Sequence, residues 1–461
     1  MIRSAALQLR SSNRYKWYAL AAVMLGTFIA PLDGSVVNVA LPSIANSYHT
    51  AIDATQWVLL SYLLIAASSL VLFGRLGDMI GQKTIYVLGF CVFGLASLGC
   101  SFAPSLAILI GSRCIQGVGA AMLMACTPAL VTHIFPPNER GRALGLNGGV
   151  VATAVACGPV LGGVIVTYAK WPWVFLINIP IAIVALVMAL FILKREKHTE
   201  RERFDIVGAL LVSTSLFAVS LALSRAHIWG WASPLTLGCF AYAVISLVSF
   251  LAWERRAVAP VLDLSLFENR TFSFSVIASM LYFCALFALV FILPLVAQSE
   301  LGSSGLQAGL LLFPVFALNI VLAPIAGRLS DRIPARYIST LGALVFALGL
   351  IVLGLLPAHP SAGVLTLALI LSGAGTAVFA QPNNNSIMGN APPERRGIAS
   401  GMLATARTTG QLLGIAIGGA IYFARIHQLG LLAHSYAPAQ AVFLTSAGIM
   451  LIVAAISYAR D

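Results

Sequence analysis

Chemistry in this chain is to be sought at ionisable side chains lodged inside long apolar stretches, and there are three. Asp33 lies in LGTFIAPLDGSVVNVALPSI, Arg113 in AILIGSRCIQGVGAA and Arg407 in MLATARTTGQLLG. An ionised Asp at the centre of an apolar span costs about 2.5–3.5 kcal/mol on insertion scales, so it should face a cavity and exchange a proton there. A guanidinium in the same surroundings needs a carboxylate, carbonyl oxygens or water as a partner. Asp33 therefore reads as a proton carrier, and Arg113 as a charge that must find such a partner. The competing readings are a turn-forming Asp between Pro31 and Gly34, and an Arg that only ties its helix to neighbouring backbone. Gln116, one turn from Arg113 on the same face, would share that network or bond a neighbouring helix. For Arg407 a substrate contact and a position near the inner end of its span weigh equally.

These residues are set in apolar surroundings because nearly the whole chain is apolar. Of 461 residues, 59% are hydrophobic and 9% charged, against about 45–50% and about 25% in a soluble domain. The mean hydropathy is +0.94. Polar residues are too few to coat a soluble globule, so lipid must do so. The net charge of +12 comes from short basic runs between apolar stretches rather than from one lined face, which argues against nucleic acid as a partner. All seven cysteines fall in apolar segments, with no CxxC pair and no His cluster, so no metal is expected. GDMIGQKT at 77–84 lacks the adjacent Gly and Lys of a phosphate loop, and GVGAAM at 117–122 misses the dinucleotide fingerprint. No nucleotide or other cofactor is implied, and no nucleophile sits with a base as an enzyme would need.

Stretches of about 20 apolar residues are long enough to cross a bilayer. They fall at 17–41, 56–74, 84–103, 106–132, 143–168, 172–193, 206–224, 234–252, 272–297, 307–327, 337–356, 363–388, 398–424 and 438–458. The first follows a basic, acid-free tail and is too long for a signal-peptide core, so it reads as an uncleaved helix. With both termini cytoplasmic, the 27 Lys and Arg lie on the inner side except for Lys170, Arg225 and Arg425 outside and Arg113 and Arg407 within spans. The expected location is the inner or plasma membrane.

An internal repeat organises the spans. GRLGDMIGQK at 74–83 returns as GRLSDRIPAR at 327–336, an offset of 253 (327 − 74). PPNERGRALG at 136–145 returns as PPERRGIASG at 392–401, and GPVLGG at 158–163 as GIAIGG at 414–419, both offset by 256. The offset equals eight spans, an even number, so the repeats are parallel. The predicted layout is a cytoplasmic tail at 1–16, a six-helix bundle at 17–193, a linker at 194–205, two inserted helices at 206–252, a linker at 253–271 and a second six-helix bundle at 272–461. Asp33, Arg113 and Arg407 have no charged counterpart at the repeat offset, which favours chemistry over scaffolding. Arg75 and Asp78 do recur, as Arg328 and Asp331.

The chain resembles the fourteen-helix drug:proton antiporter family of the major facilitator superfamily. LDGSVVNVALPSI at 32–44, GRLGDMIGQK, RCIQGVGAA at 113–121, ACGPVLGG at 156–163 and WPWVFLINIP at 171–180 carry the likeness, with Pro172 where the family usually has Arg. The resemblance implies the all-α facilitator fold of two parallel six-helix repeats plus an inserted pair. It implies proton coupling through Asp33 and Arg113, and conformational gating by Gly74, Arg75, Asp78, Gly81, Lys83, Arg328 and Asp331. Gly158, Pro159, Gly162 and Gly163 would form the antiporter motif, although small residues for close packing explain the same pattern. Asn38, Tyr62, Gln116, Asn178, Phe283, Phe287, Asn319, Gln381 and Arg407 could line a substrate cavity. Asn319 stands in the helix where relatives that accept dications carry a second acid, so dications are not expected.

The activity expected is export of small amphipathic or cationic compounds in exchange for protons by a monomer in lipid, driven by the proton gradient. A proton-coupled exporter of a natural metabolite such as a siderophore, lipid or peptide is the nearest alternative, and a non-transporting membrane sensor a more distant one.

Overall fold

The computed structural model describes residues 15–194, 205–256, 264–300, 302–330, 332–357, 361–392, 396–429 and 436–460. The tail at 1–14, most of the 194–205 linker, part of the 253–271 linker and Asp331 lie outside that set, as do the side chains of Arg75 and Asp78.

The described residues form helices and no strands. In lipid every backbone N–H and C=O must be satisfied within its own segment, and apolar runs of this length can do that only as helices. The long helices are α1 Tyr15–Tyr48, α2 Trp57–Ile80, α3 Gln82–Ser101, α4 Leu106–Ile134, α5 Pro137–Tyr168, α6 Asn178–Ile192, α7 Ile206–Trp229, α8 Pro234–Glu254, α9 Arg270–Ser299, α10 Phe313–Leu329, α11 Ala335–Gly354, α12 Ala362–Gly389, α13 Arg396–Leu429 and α14 Ala437–Ala459. Thirteen are long and apolar enough to cross a membrane by length and composition, counting α6 together with the short helix from Trp173 and α10 together with the one from Gly305. The remaining one, α2, is 24 residues long and begins WVLLSYLLIAASSLVLFG. Several run past the expected hydrocarbon limits, most of all α1, because the helix continues to Tyr48 on residues that satisfy their backbone in water as well.

Loop chemistry sets the helix starts. The side chains of Ser105, Asp205, Ser233 and Asn269 accept from backbone N–H groups in the first turns of α4, α7, α8 and α9, removing donors that would otherwise be orphaned. Gly81, at φ 106°, permits the reversal between α2 and α3, a conformation costly for a residue with a Cβ.

The repeat seen in the sequence is a repeat of packing. In the first bundle α1 packs on α5 and α6, α3 on α4 and α6, and α2 on α4; in the second, α9 packs on α13 and α14, α11 on α12 and α14, and α10 on α12. Even the closest backbone approaches recur. A Cβ on Gly119 would lie 2.6 Å from the Phe93 N, and one on Gly375 would meet the Phe346 backbone in the same way. The pairs are related by 375 − 119 = 256 and 346 − 93 = 253, the offsets of the sequence repeat. Likewise Gly117 lies against the Tyr62 O and Gly373 against the Pro314 O, 2.7 and 2.6 Å from where their Cβ would stand. Without a hydrophobic drive between helices in lipid, such small-residue contacts supply the dispersion that holds them together.

The inserted pair is asymmetric. Helix α8 packs on α7, and α7 packs on α2 and α13, one from each bundle; Ser213 on α7 donates to the Ser68 O of α2 at 3.0 Å. The bundles themselves meet along α1/α9, α2/α13, α4/α13 and α5/α10.

Overpacking a close helix contact costs about 1–3 kcal/mol. Gly119→Leu is therefore expected to lower the unfolding midpoint of the detergent-purified protein. Gly111→Leu, on the same helix where a Cβ meets nothing within 4 Å, should leave it unchanged. Equal midpoints for the two variants would show that the α3/α4 approach is not tight.

Candidate functional site

Asp33, Arg113, Gln116 and Asn178 come together from α1, α4 and α6, and Asp33 and Arg113 are both 0% exposed. Helix α1 runs unbroken through Pro31 and Gly34, so Asp33 does not form a turn or a cap. Its carboxylate is held on both oxygens. Oδ2 accepts from Arg113 Nη1 in a buried ion pair. Oδ1 accepts from Asn178 Nδ2 at 2.7 Å and from Gln116 Nε2 at 3.1 Å.

Arg113 serves both of the roles that its position in the sequence left open. Its Nε donates to the Val58 O of α2 at 2.8 Å, and its Nη1 also reaches Gln116 Oε1 at 2.7 Å. Gln116 in turn donates to Ser97 on α3 at 2.9 Å, so it joins the network and bonds a neighbouring helix as well. Five helices thus converge on one charge pair. The Tyr62 ring covers the guanidinium at 4.0 Å, and the Tyr62 hydroxyl donates to the Ala30 O at 2.9 Å.

A cavity lies beside this cluster, between the bundles. Its wall comprises Ala30, Pro31 and Gly34 of α1, Tyr62, Leu63 and Ala66 of α2, Met124 of α4, Val151 and Val155 of α5, Phe287 of α9, and Arg407, Thr408 and Gln411 of α13. Asp33 is not part of that wall, contrary to the expectation that it should face a cavity. Three side-chain donors satisfy its carboxylate, and its chain neighbour Gly34 and the Tyr62 ring over Arg113 line the cavity instead.

Of the residues expected to line a cavity, Tyr62, Phe287 and Arg407 do. Gln116 and Asn178 belong to the Asp33 cluster instead. Asn38 is buried on α1 and both of its amide atoms lack a protein partner. Asn319 donates to the Val315 O and to Thr376 Oγ1, both at 3.0 Å, which ties α10 to α12. Phe283 packs on Tyr282 with ring centroids 4.9 Å apart, and Gln381 packs beside Gly327. Gln116, Asn178, Asn319 and Gln381 find nearer partners on adjacent helices, Phe283 packs on its chain neighbour and against Gly410 of α13, and Asn38 is enclosed with no hydrogen-bond partner among the described residues. Val151, Val155, Thr408 and Gln411 were not foreseen, although the repeat offset connects them, since 407 − 256 = 151 and 411 − 256 = 155.

The small residues of α5 have two separate jobs. Gly158 and Gly162 face α1, where a Cβ would collide with Ser35 and lie 2.6 Å from the Val36 O. Pro159 and Gly163 face the other bundle, against Gly309 and against Gly305 and Leu306. Pro159 has no N–H for the carbonyl four residues earlier, and that carbonyl, the Val155 O, accepts from Ser35 Oγ at 2.9 Å. The segment therefore clamps the helix that carries Asp33 on one side and touches the second bundle on the other.

Among the gating candidates, Gly74 lies beside Ala125 of α4 and Arg328 is exposed in the last turn of α10. Lys83 donates from Nζ to the Leu190 O at 2.7 Å and to the Leu193 O. It thereby ties the α2–α3 junction to the C-terminal carbonyls of α6 within its own bundle.

Two parallel six-helix repeats around a central cavity, with charged groups buried next to it, define a secondary transporter by class. The family model described as Major Facilitator Superfamily matches residues 23–269 and 275–461, and the chain belongs to that superfamily. It is 37% identical over 407 residues to the uncharacterized transporter YebQ of Escherichia coli, covering 87% of this chain and 88% of that protein. It is 34% identical to the riboflavin transporter RibZ of Clostridioides difficile, covering 87% of each. It is 31% identical to the tetracenomycin C resistance and export protein of Streptomyces glaucescens, covering 89% of this chain and 76% of that protein.

Breaking a buried ion pair by removing one partner costs about 3–5 kcal/mol, because an uncompensated charge is left behind. Arg113→Leu is expected to lower the thermal unfolding midpoint, and adding Asp33→Asn to recover part of the loss. A double variant no more stable than Arg113→Leu alone would mean that the pair is not coupled.

Proposed function

We propose that this transporter exports small amphipathic compounds in exchange for protons, with Asp33 as the proton carrier and Arg113 as its switchable counter-charge. The observation that carries the reading is the buried Asp33–Arg113 pair held one side chain away from the central cavity. Protonation of Asp33 cancels one half of that pair. Arg113 then keeps its bonds to the Val58 O and Gln116 but loses its ionic partner, so the α1/α4 contact weakens.

Helix α5 carries that change outward, since it grips α1 through Gly158 and Gly162 and meets the second bundle through Pro159 and Gly163. The hydrogen bonds between the bundles fit one state of alternating access. Gln56 donates to the Ile415 O at 2.7 Å, Gln298 to the Val39 O at 3.1 Å, and the Leu306 N to Thr167 Oγ1 at 3.0 Å. With a cytoplasmic N-terminus all three lie toward the outer side, a bundle pair latched outside. At the other end a Cβ on Gly145, Gly148 or Gly149 of α5 meets nothing within 4 Å.

One proton moving inward releases about 1.4 kcal/mol per pH unit and about 2.3 kcal/mol per 100 mV, enough for uphill export under ordinary gradients. The similarity to the tetracenomycin C resistance and export protein supports export of a foreign compound, and that to the riboflavin transporter keeps a natural metabolite as the second reading. On this reading the protein has no enzymatic activity and needs no cofactor beyond the proton gradient.

The test is substrate flux in everted vesicles with and without an imposed pH gradient. Wild type is expected to accumulate substrate only with the gradient, and Asp33→Asn to lose at least ten-fold in gradient-driven flux. Undiminished gradient-driven flux in Asp33→Asn would remove Asp33 from the mechanism.

A further inference from the structure

The central cavity has two chemically different walls at repeat-equivalent positions. On α5 it presents Val151 and Val155; on α13, at the same places in the second repeat, it presents Arg407 and Gln411, with Thr408 beside them. Among the described residues that line it, none is Asp or Glu.

Arg407, half-buried, also differs from the buried arginines. Arg113 is neutralised by Asp33, and Arg460 donates to Asn383 Oδ1 at 3.0 Å and reaches Ser275 and Ser339 at 3.3 and 3.4 Å. No hydrogen bond or ion pair of the Arg407 guanidinium with a described residue is present, although it stands in the cavity wall between two membrane bundles. An uncompensated guanidinium held among helices is costly unless an anion or water meets it. Gln411 supplies an uncommitted amide one turn away on the same face.

Resting on the exporter reading above, we infer that this small cavity, about 30 Å³ in the present state, widens in the transport cycle to take an amphipathic organic anion. The acid group of this ligand pairs with Arg407, and its aromatic or apolar body lies against Tyr62, Phe287 and Met124. A carboxylate is the matching acid group, because the planar guanidinium meets it through two parallel N–H donors. The resemblance alone favours cations, and a cation would here face the one ionic group in the wall with the same sign.

Direction of charge movement follows. Exchanging one inward proton for one outward monoanion moves two positive charges inward, so a membrane potential without a pH gradient drives it. Exchanging a proton for a monovalent cation moves none.

The test uses three fluorescent probes of similar bulk and different charge. They are dansylglycine, a monocarboxylate; dansylamide, neutral; and ethidium, a cation. Binding to the purified wild-type protein is read from probe fluorescence without any gradient. Dansylglycine is expected to bind at least ten-fold more tightly than either of the others. Arg407→Gln is expected to abolish that preference, while Arg407→Lys keeps part of it and Arg407→Gln retains dansylamide binding. In proteoliposomes a potassium-diffusion potential alone should speed dansylglycine flux and leave ethidium flux unchanged.

Equal or tighter binding of ethidium by the wild type, or an unchanged dansylglycine preference in Arg407→Gln, overturns the inference. If neither variant folds, the wild-type order of affinities decides by itself, and binding of none of the three also overturns it. Dansylglycine binding through Arg407 with no flux under any gradient would overturn the exporter reading and leave this one standing. Gradient-driven ethidium export without dansylglycine binding would do the reverse.

Discussion

A charge pair removed from water is the constraint around which this molecule is organised. The carboxylate of Asp33 and the guanidinium of Arg113 are fully buried, and two ions taken out of water are tolerated only where geometry and further hydrogen bonds satisfy their remaining valences. Asn178, Gln116 and the Val58 O supply most of those bonds, leaving only Arg113 Nη2 without a hydrogen-bond partner among the described residues. Because these partners sit on different helices, the pair fixes the mutual positions of α1, α2, α4 and α6, and Ser97 brings in α3. Structure and function here share one energetic cause. The same bonds that make the pair bearable in a low-dielectric interior are the ones a proton on Asp33 would weaken.

Around that fixed point the fold is a duplicated packing scheme with its symmetry broken only where chemistry differs. Gly119 against Phe93 and Gly375 against Phe346 are the same contact made twice, as the dispersion-driven association of helices in lipid requires. The charges within the spans are not duplicated, unlike those of the loop motif. Asp33 and Arg113 belong to the first bundle alone, Arg407 to the second alone, and the central cavity lies between them. Each bundle thus brings to the cavity a different electrostatic character on nearly identical scaffolding.

Much of this was legible in the residues. The spans and the repeat follow from composition and from an offset, the need of Asp33 and Arg113 for partners follows from the cost of burying charge, and their partnership with each other was what the family resemblance implied. The facing of the apolar residues does not. In a soluble helix the polar side marks the solvent and leaves an apolar stripe toward the core; in lipid both sides are apolar, so nothing in the sequence separates Val151 in the cavity from Ile183 on the lipid surface. The same ambiguity misplaced Asn319, Phe283 and Gln381, whose nearest partners lie on neighbouring helices rather than in the cavity. It also hid that Gly34 and Tyr62, rather than Asp33, line the cavity. Ser35 was recoverable in principle: Pro159 frees the carbonyl of residue 155, and a freed carbonyl in lipid must find a donor.

Tyr62 is where the two functional regions touch, and its bonding explains how they can influence each other without mixing. One face of the ring lies over the Arg113 guanidinium, and the side chain also forms part of the cavity wall. A cation–π contact in a desolvated setting is worth about 2 kcal/mol, and the hydroxyl bond to the Ala30 O pins the ring to the helix that carries Asp33. A compound pressing on the cavity side of that ring must either leave the contact intact or shift a residue bonded to both α1 and Arg113. A proton reaching Asp33 alters the same contact from the opposite side. The proposed exchange needs each occupant to disfavour the other, and a single ring shared by both regions would provide that opposition with no long-range relay.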